Sequence, residues 1–585
     1  MARPSQAPPA RPSPPFPPGL HALEAGGEAV LLAAAPPLAP QVAGETGRPR
    51  VWGATGAVYA LTSARSLGEG DFEDLATAAE GLARLGADFL GVNPVHALGA
   101  AHAGISPYSP TSRTALDPRR IALDQVPGFP DCAEARAAID AEADALAAWR
   151  DTEFCDPALA ARIRAPALRA LFAAFEQGRG ADPAAFEAWL AEGGRPRARF
   201  ATFEALSLAH GEDWRAWPEP FRDPESPQVA EFAAREAAEI RFHAWAQWTA
   251  STQLQAAQAR AKAAGMGLGL YLDIAVGVRP DGAEAWARPA AFARGVSLGA
   301  PPDALNAAGQ VWALAPFNPE GLRAARYAPF RDMLRATMAP AGAVRIDHVI
   351  GLDRAFWAPE NGAPGGYVRF PSALLLALVR IEAARAGCVV VGEDLGTVPD
   401  GLRAALDASG LHGCAILQFE GGPPGFRPPA DFPARSLASF GTHDTPTLAG
   451  WWEAADAELR EALGHVDAPA ARAMREDRAG SRAALGRLLA ETGHAPEGLN
   501  PDAPPATLPP ELRDAIHGVL AASGSALAAV QIDDALDERR QQNVPGTVNE
   551  APNWRLRHAA PADALDAAPG LRRAAEIFGK ARPRT

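Results

Sequence analysis

The sequence predicts an α/β fold, a (β/α)8 TIM barrel with large helical insertions and a short β-hairpin at its N-terminus, and three observations carry that prediction. Short apolar runs end in an acid at three places: Asp347 after AVRI, Glu393 after CVVVG, and Asp444 after SLASFGTH. Helix-patterned stretches separate the runs, as in PSALLLALVRIEAARAG from Pro371 to Gly387. Short apolar strands alternating with helices are the signature of a parallel sheet, open or closed into a barrel. In a closed (β/α)8 barrel the chemistry gathers at the C-terminal strand ends and is contributed by several strands. Carboxylates delivered this way suit glycosidic bond cleavage, which uses one as nucleophile and another as proton donor.

The elements follow in chain order. Residues 1–18 are Pro-rich and read as an extended, disordered tail. Residues 19–49 contain LHALEAG and AVLLAAA on either side of Gly26 and Gly27, the pattern of a short β-hairpin. Residues 50–585 read as the catalytic barrel. Its strands are expected at GAVYAL, DFLGV, LGLYLDIAV, AVRID, CVVVGED, AILQF and the run into GTHD, with DFEDLATAAEGLARLG as the first connecting helix. Residues of about 131–260 are Ala/Glu/Arg-rich with apolar residues at helical spacing, a helical insertion ending in RFHAWAQWTASTQLQAA. A second insertion spans about 451–525 within a mostly helical C-terminal part. No solenoid-length repeat is present.

A chain of 585 residues accommodates a barrel of about 250 residues with large additions. With 48% hydrophobic and 21% charged residues it can bury a sizeable core. A formal net charge of −14 argues against a nucleic-acid partner, because phosphate binding needs clustered Lys and Arg. The four cysteines, Cys132, Cys155, Cys388 and Cys414, form no CxxC or Cys/His cluster, so a structural metal is not expected. So few cysteines suit a reducing compartment. The stretch AVLLAAAPPLA lies too far from the start, and is too broken by Pro36 and Pro37, for a signal peptide. No apolar run reaches the roughly 18 residues of a membrane span. The expectation is a cytoplasmic protein with no membrane or obligate protein partner.

Arg345 and Asp347 are two apart on a strand and so share one face. A guanidinium there keeps the carboxylate ionised, as a nucleophile requires; a structural ion pair at a barrel rim is the alternative. Glu393 emerges from a fully apolar strand with another carboxylate opposite, a setting that raises its pKa toward that of a general acid. Its neighbour Asp394 reads as a helix cap. Asp444, beside His443, suits hydrogen bonds to a distorting sugar ring, and His443 and His348 could donate to the same ring. Tyr108 in SPYSP and Trp312 in GQVWA read as loop aromatics whose faces stack on pyranose rings, with Gln310 reading hydroxyls.

Together these segments resemble the amylomaltases, the 4-alpha-glucanotransferases or disproportionating enzymes of glycoside hydrolase family 77 in the alpha-amylase clan, and most nearly the long bacterial enzymes of the maltose-using type. The resemblance runs from about Arg50 to about Arg557 through WGATGAVYALTSAR, NPVHAL, SPYSPTSR, YLDIAVGV, GAPPD…GQVW, RIDH, GEDLGTVP, THDTPTLAGWW and NVPGT…NWR. It implies a (β/α)8 barrel without organic cofactor or essential metal. It also implies Asp347 as nucleophile, Glu393 as acid/base and Asp444 as the acid that stabilises the transition state. Tyr108, Asp273, Gln310, Trp312, Arg345 and His443 match the family's substrate positions. Three departures stand out. Residues 19–49 are the only counterpart of the β-rich N-terminal region of long members. The tract GQxWGxPxY reads GQVWALAPF, with Ala313 for Gly and Phe317 for Tyr. GIGDFGD reads GEGDFED, with Glu69 and Glu73 substituted.

The expected activity is transfer of an α-1,4-glucan segment to the 4-hydroxyl of another glucan or of glucose, by a retaining double displacement through a covalent glycosyl-enzyme. Maltooligosaccharides, amylose and glycogen-derived glucans are the expected partners. An α-1,4-glucan hydrolase needs the same three acids and differs only in acceptor binding and water exclusion. A non-catalytic glucan-binding protein would have no use for the intact trio.

Overall fold

Eight short runs of apolar and small residues form parallel strands that follow one another around a ring in chain order. The computed structural model describes residues 16–25, 28–302 and 309–584, so the Pro-rich tail falls almost wholly outside the described residues. The strands are β1 (Val51–Gly56), β2 (Phe89–Val92), β3 (Gly269–Ile274), β4 (Ala343–Ile346), β5 (Val389–Gly392), β6 (Gly413–Ile416), β7 (Ser436–Ser439) and β8 (Leu527–Gln531). β8 returns to β1 in register from Leu527↔Val51 to Gln531↔Thr55. The β5–β6 seam is held by the single parallel bridge Val391↔His412. There the His412 N–H donates to Val390 O at 2.9 Å and the Gly392 N–H to His412 O at 2.8 Å. The fold is a (β/α)8 TIM barrel.

The period of two along each strand sorts side chains between two cores. Val389 and Val391 point inward with Val51, Phe89, Leu268, Leu437 and Leu527, while Val390 joins the layer beneath the helices. Gly53 makes room for this filling, since a Cβ there would lie 2.4 Å from Phe89 O.

The outer helices are α1 (Phe72–Arg84), α2 (Ala237–Ala263), α3 (Ala328–Met338), α4 (Ser372–Ala386), α5 (Leu402–Ala408), α6 (Pro510–Ala521) and α7 (Pro569–Ala581). A small hairpin and a 3-10 turn at Pro429–Asp431 take the place of a helix between β6 and β7. Helices including Pro157–Glu176 and Pro183–His210 precede α2, and Ala468–Glu491 precedes α6. The strands Gly19–Ala25 and Glu28–Ala34 pair antiparallel. The chain after them is fastened to α4, where Arg380 donates to the carbonyls of Pro36 and Pro37 at 3.1 and 2.9 Å.

Three elements differ from the sequence reading. The first strand is VWGATG, and within GAVYAL the residues Val58–Ala60 form a 3-10 turn instead. Two glycines hide the strand's pattern, and burial of Val51, Trp52 and Ala54 decides for it. The eighth strand, LAAVQ, lies where the C-terminal part reads as helical, because alanine favours helix and only closure of the ring recruits it. Finally, Val296–Ala300, Gln310–Val311, Arg354–Pro359 and Gly366–Arg369 form an antiparallel four-stranded flap, contributed by the chain that follows β3 and β4.

The substituted acids have partners. Glu73 pairs with Arg260 of α2 at 2.6 Å. Glu69 is 1% exposed, pairs with Arg120 at 2.9 Å and lies 4.0 Å from Arg164, which projects from the insertion helix Pro157–Glu176. Removing one partner of a buried cluster leaves the other charges uncompensated. Glu69→Ala is therefore expected to cost about 3–5 kcal/mol, read as a lower urea midpoint at unchanged slope.

Candidate active site

The register of β3 and β4 sets the centre of the cleft. Arg345 lies directly opposite Asp273 in the ladder. Its Nη1 donates to both Asp273 oxygens at 2.9 and 2.8 Å, and its Nη2 lies 2.8 Å from Asp347 Oδ1. Burial alone would lower the Arg345 pKa, but Asp273 and Asp347 outweigh it and hold the guanidinium well above its ordinary value. Burial pushes the Asp273 carboxyl up, with Arg345 opposing and Asp347 adding. The Tyr108 hydroxyl donates to Asp273 Oδ2 at 2.6 Å.

Glu393 follows β5, where its N–H donates to Ile346 O at 3.0 Å. Its carboxyl accepts the N–H groups of His348 at 2.8 Å and Leu395 at 3.0 Å. It is 8% exposed, and burial pushes its pKa up to about 7, Arg345 opposing and Asp347 adding. Because this folded-state value is raised, the group's contribution to stability is full below the ordinary carboxylate range and is lost as pH rises through about 7. His348 reaches Glu393 only by adopting a left-handed backbone, φ +47°, a conformation that strains any residue with a Cβ. Burial lowers its imidazole pKa.

Asp444 lies in the loop after β7. Its Oδ2 is 3.3 Å from His443 Nε2, and its Oδ1 accepts from Asn543 Nδ2 at 2.7 Å. Burial pushes the carboxyl up, but His443 and Asn543 outweigh it and hold it at about 2. For His443 burial acts downward and Asp444 outweighs it, raising the imidazole. The Tyr108 ring stacks on His443 at 4.7 Å and 20°, with Trp554 5.5 Å from Tyr108. Asp273, Arg345, Glu393 and His443 line a cavity of about 100 Å³ at the barrel mouth, and Asp347 and His348 a neighbouring one of about 60 Å³. Among the described residues no group of three or more His, Cys, Asp and Glu side chains could hold a metal ion.

Residues 57–561 match the model of the 4-alpha-glucanotransferase family. The chain belongs to that family. The 4-alpha-glucanotransferase of Mycobacterium tuberculosis is 38% identical over 528 residues, which cover 87% of this chain and 71% of the relative. That of Haemophilus influenzae is 33% identical over 533 residues, covering 88% and 76%. The amylomaltase structure from Corynebacterium glutamicum superposes with a TM-score of 0.84 at 31% identity, covering 96% of this chain and 80% of that one.

In this 4-alpha-glucanotransferase, the two aromatics that the sequence places in loops also pack against apolar neighbours. Trp312 follows the flap strand Gln310–Val311 and packs with Leu298, Leu314 and Ala355, and its ring meets the His348 ring edge-on at 5.2 Å. Gln310 joins the cleft through it, its Oε1 accepting the Trp312 indole N–H at 2.9 Å. Tyr108 does lie in a loop, but it packs against Tyr59, Cys155 and Trp554. Asp394 serves structure, accepting the Cys414 N–H at 2.8 Å and the Arg403 guanidinium at 2.8 Å.

Sequence reasoning missed Asn543 and Trp554, although both lie in the tract NVPGT…NWR, where only the motif and not its side chains was legible. It also missed Asp533, Gln542 and His558, which line the cavity at the barrel mouth.

Ala313, which stands where the family pattern has glycine, has φ +55°. A left-handed residue with a Cβ costs roughly 1–2 kcal/mol, against about 0.5–1 kcal/mol of extra chain entropy for glycine. Ala313→Gly is therefore expected to stabilise the protein by about 0.5–1 kcal/mol, measured as a higher urea midpoint.

Proposed function

We propose that this 4-alpha-glucanotransferase works by double displacement, with Asp347 as nucleophile, Glu393 as acid/base and Asp444 as the transition-state acid. The observation that carries the reading is the separation of the carboxyls: Glu393 is pushed up to about 7, while Asp444 is held at about 2. Environments that drive neighbouring carboxyls apart assign acid and base roles. In the first step an Asp347 oxygen attacks the anomeric carbon of the donor. The bond from that carbon to the leaving 4-oxygen breaks, and Glu393 gives that oxygen its proton. Arg345 occupies Asp347 Oδ1, which leaves Oδ2 to attack. In the second step the acceptor's 4-hydroxyl gives its proton to Glu393 and displaces Asp347 from the same carbon, so configuration is retained. Positive charge spreads over the ring in both transition states, and ionised Asp444 opposes it.

Maltooligosaccharides, amylose and glycogen-derived glucans are the proposed donors and acceptors. Tyr108 and His443 would offer the stacked wall of the donor site, with Asp273 and Arg345 fixing that wall from below. Trp312 and Gln310 would reach from the flap over the acceptor side, and His348 from the end of β4. Four unpaired thiols support a cytoplasmic setting.

Asp347→Ala and Glu393→Gln are each expected to abolish glucan turnover in a folded protein. For the wild type, kcat/KM of the donor should fall about tenfold per pH unit above about pH 7, as Glu393 loses the proton it must donate. For Glu393→Gln a glycosyl fluoride donor should still label Asp347, because fluoride leaves without protonation; absence of the adduct by mass spectrometry would refute the division of roles.

Incubation with maltotriose is expected to give glucose and a ladder of longer oligosaccharides with total reducing ends nearly constant. A bound, oriented acceptor has a large effective-concentration advantage over water. A steady rise in reducing ends with no product longer than the substrate would establish hydrolysis instead.

A further inference from the structure

We infer that Asp533 is a positioning residue for the transfer reaction: it clamps the segment from Gln542 to His558 onto the barrel so that Asn543 meets Asp444. The inference rests on the reading of Asp444 as the transition-state acid and adds to it what sets that acid's geometry.

Asp533 lies two residues beyond β8 and is 6% exposed. Its Oδ1 lies 2.7 Å from His558 Nδ1, and its Oδ2 accepts from Gln542 Nε2 at 2.9 Å. With both oxygens occupied by protein groups, it acts through what it holds. Gln542 is fixed at two further points: its Oε1 accepts the Tyr59 hydroxyl at 2.9 Å, and its carbonyl accepts the Trp554 N–H at 2.9 Å. The next residue is Asn543, whose amide donates to Asp444 Oδ1 at 2.7 Å. At the far end of the segment the His558 N–H donates to Ala60 O at 3.1 Å, and a Cβ at Gly56 would lie 2.8 Å from His558 Nε2, which locates this imidazole beside the end of β1.

One buried carboxylate thus fastens both ends of a loop that carries Asn543 near its start and Trp554 near its finish. Trp554 has φ +58° and stands 5.7 Å from the His443 ring. A left-handed tryptophan persists only where its surroundings over-determine it, and the clamp is part of those surroundings. The six polar contacts above involve no surface charge pair, so they are insensitive to salt.

The test is a double-mutant cycle with maltotriose as donor and acceptor. A displacement of about 1 Å at a reacting group costs on the order of 100-fold, so Asp533→Asn and Asn543→Ala should each lower kcat/KM by about 10- to 100-fold. If Asp533 acts through Asn543, the double variant should match Asn543→Ala within about twofold, because coupled residues do not add. The fall of kcat/KM above about pH 7 should stay in place, since Glu393 is untouched. Multiplied losses in the double variant, or an Asn543→Ala enzyme of normal activity, would overturn the clamp. Should Asp533→Asn fail to fold, Gln542→Ala takes its place in the same cycle with the same expectations. Asp444→Asn is assayed in parallel: if it is inactive while the losses multiply, the clamp alone fails, and if it is active the reading of Asp444 fails and the clamp with it.

Discussion

The Arg345 guanidinium, set between Asp273 and Asp347 at 2.8–2.9 Å, is the charge on which the rest of the cleft depends. Four carboxyls, those of Asp273, Asp347, Glu393 and Asp444, converge on one barrel mouth, and like charges so close cannot all ionise unaided. At an effective dielectric constant near 20, two unit charges about 4 Å apart interact by about 4 kcal/mol. One fixed cation therefore carries enough energy to decide which of them keep their protons. Arg345 touches two carboxylates directly and reaches Glu393 only through space; burial pushes Glu393 up to about 7, and Arg345 opposes that from a distance. The position of Arg345 is itself a consequence of register: with Asp273 opposite it on β3, the pair forms whenever these two strands pair correctly. A slip of either strand by one residue would turn its side chain away from the cleft and break the pair.

The scaffold supplies the remaining geometry through irregular backbone rather than through the strands. His348, Ala313 and Trp554 all have positive φ, and each lies beside a group assigned to the reaction. Strain of this kind gathers where neighbouring structure over-determines the chain. At His348 the return is visible: the strained residue aims its N–H at Glu393, an acceptor that no regular strand end would have reached.

The sequence made the acids and most of the barrel legible because both rest on local pattern. AVRI and CVVVG are strands by apolar content alone, and an acid immediately after such a strand has one place to go. β8 was not legible, since LAAVQ is helix-prone and becomes a strand only because a ring of seven leaves two edges to close. β1 was obscured for the opposite reason: Gly53 and Gly56 weaken its local pattern yet let Phe89 and His558 approach. Arg345 and Asp347 could be placed on one face from their spacing. Asn543 could not be joined to Asp444, because 98 residues of intervening chain separate them and only the fold brings them together. The packing of Trp312 was missed for a similar reason. Its neighbours Leu298 and Ala355 come from other strands of the flap, and no period along the chain reveals them.

If Glu393 is the acid/base proposed, the difference between transfer and hydrolysis lies in what can approach it rather than in the acids themselves. On the proposed roles, Asp444 has a side chain 45% exposed and Asp347 one 17% exposed, so a sugar ring can reach both from the open cleft. The Glu393 side chain is nearly closed off, at 10%. A hydroxyl must therefore enter the space vacated by the leaving oxygen before it can give up its proton. Water enters that space at no orientational advantage, whereas a sugar brings a ring that can lie along Trp312 and places its 4-hydroxyl in one position. On the proposed roles the acceptor side of the cleft is built by the flap, whose Trp312 is held by packing and whose next residue, Ala313, is held under strain. On the same proposal, selection among acceptors rests with that flap, and the capacity to cleave rests with Arg345 and the acids beneath it.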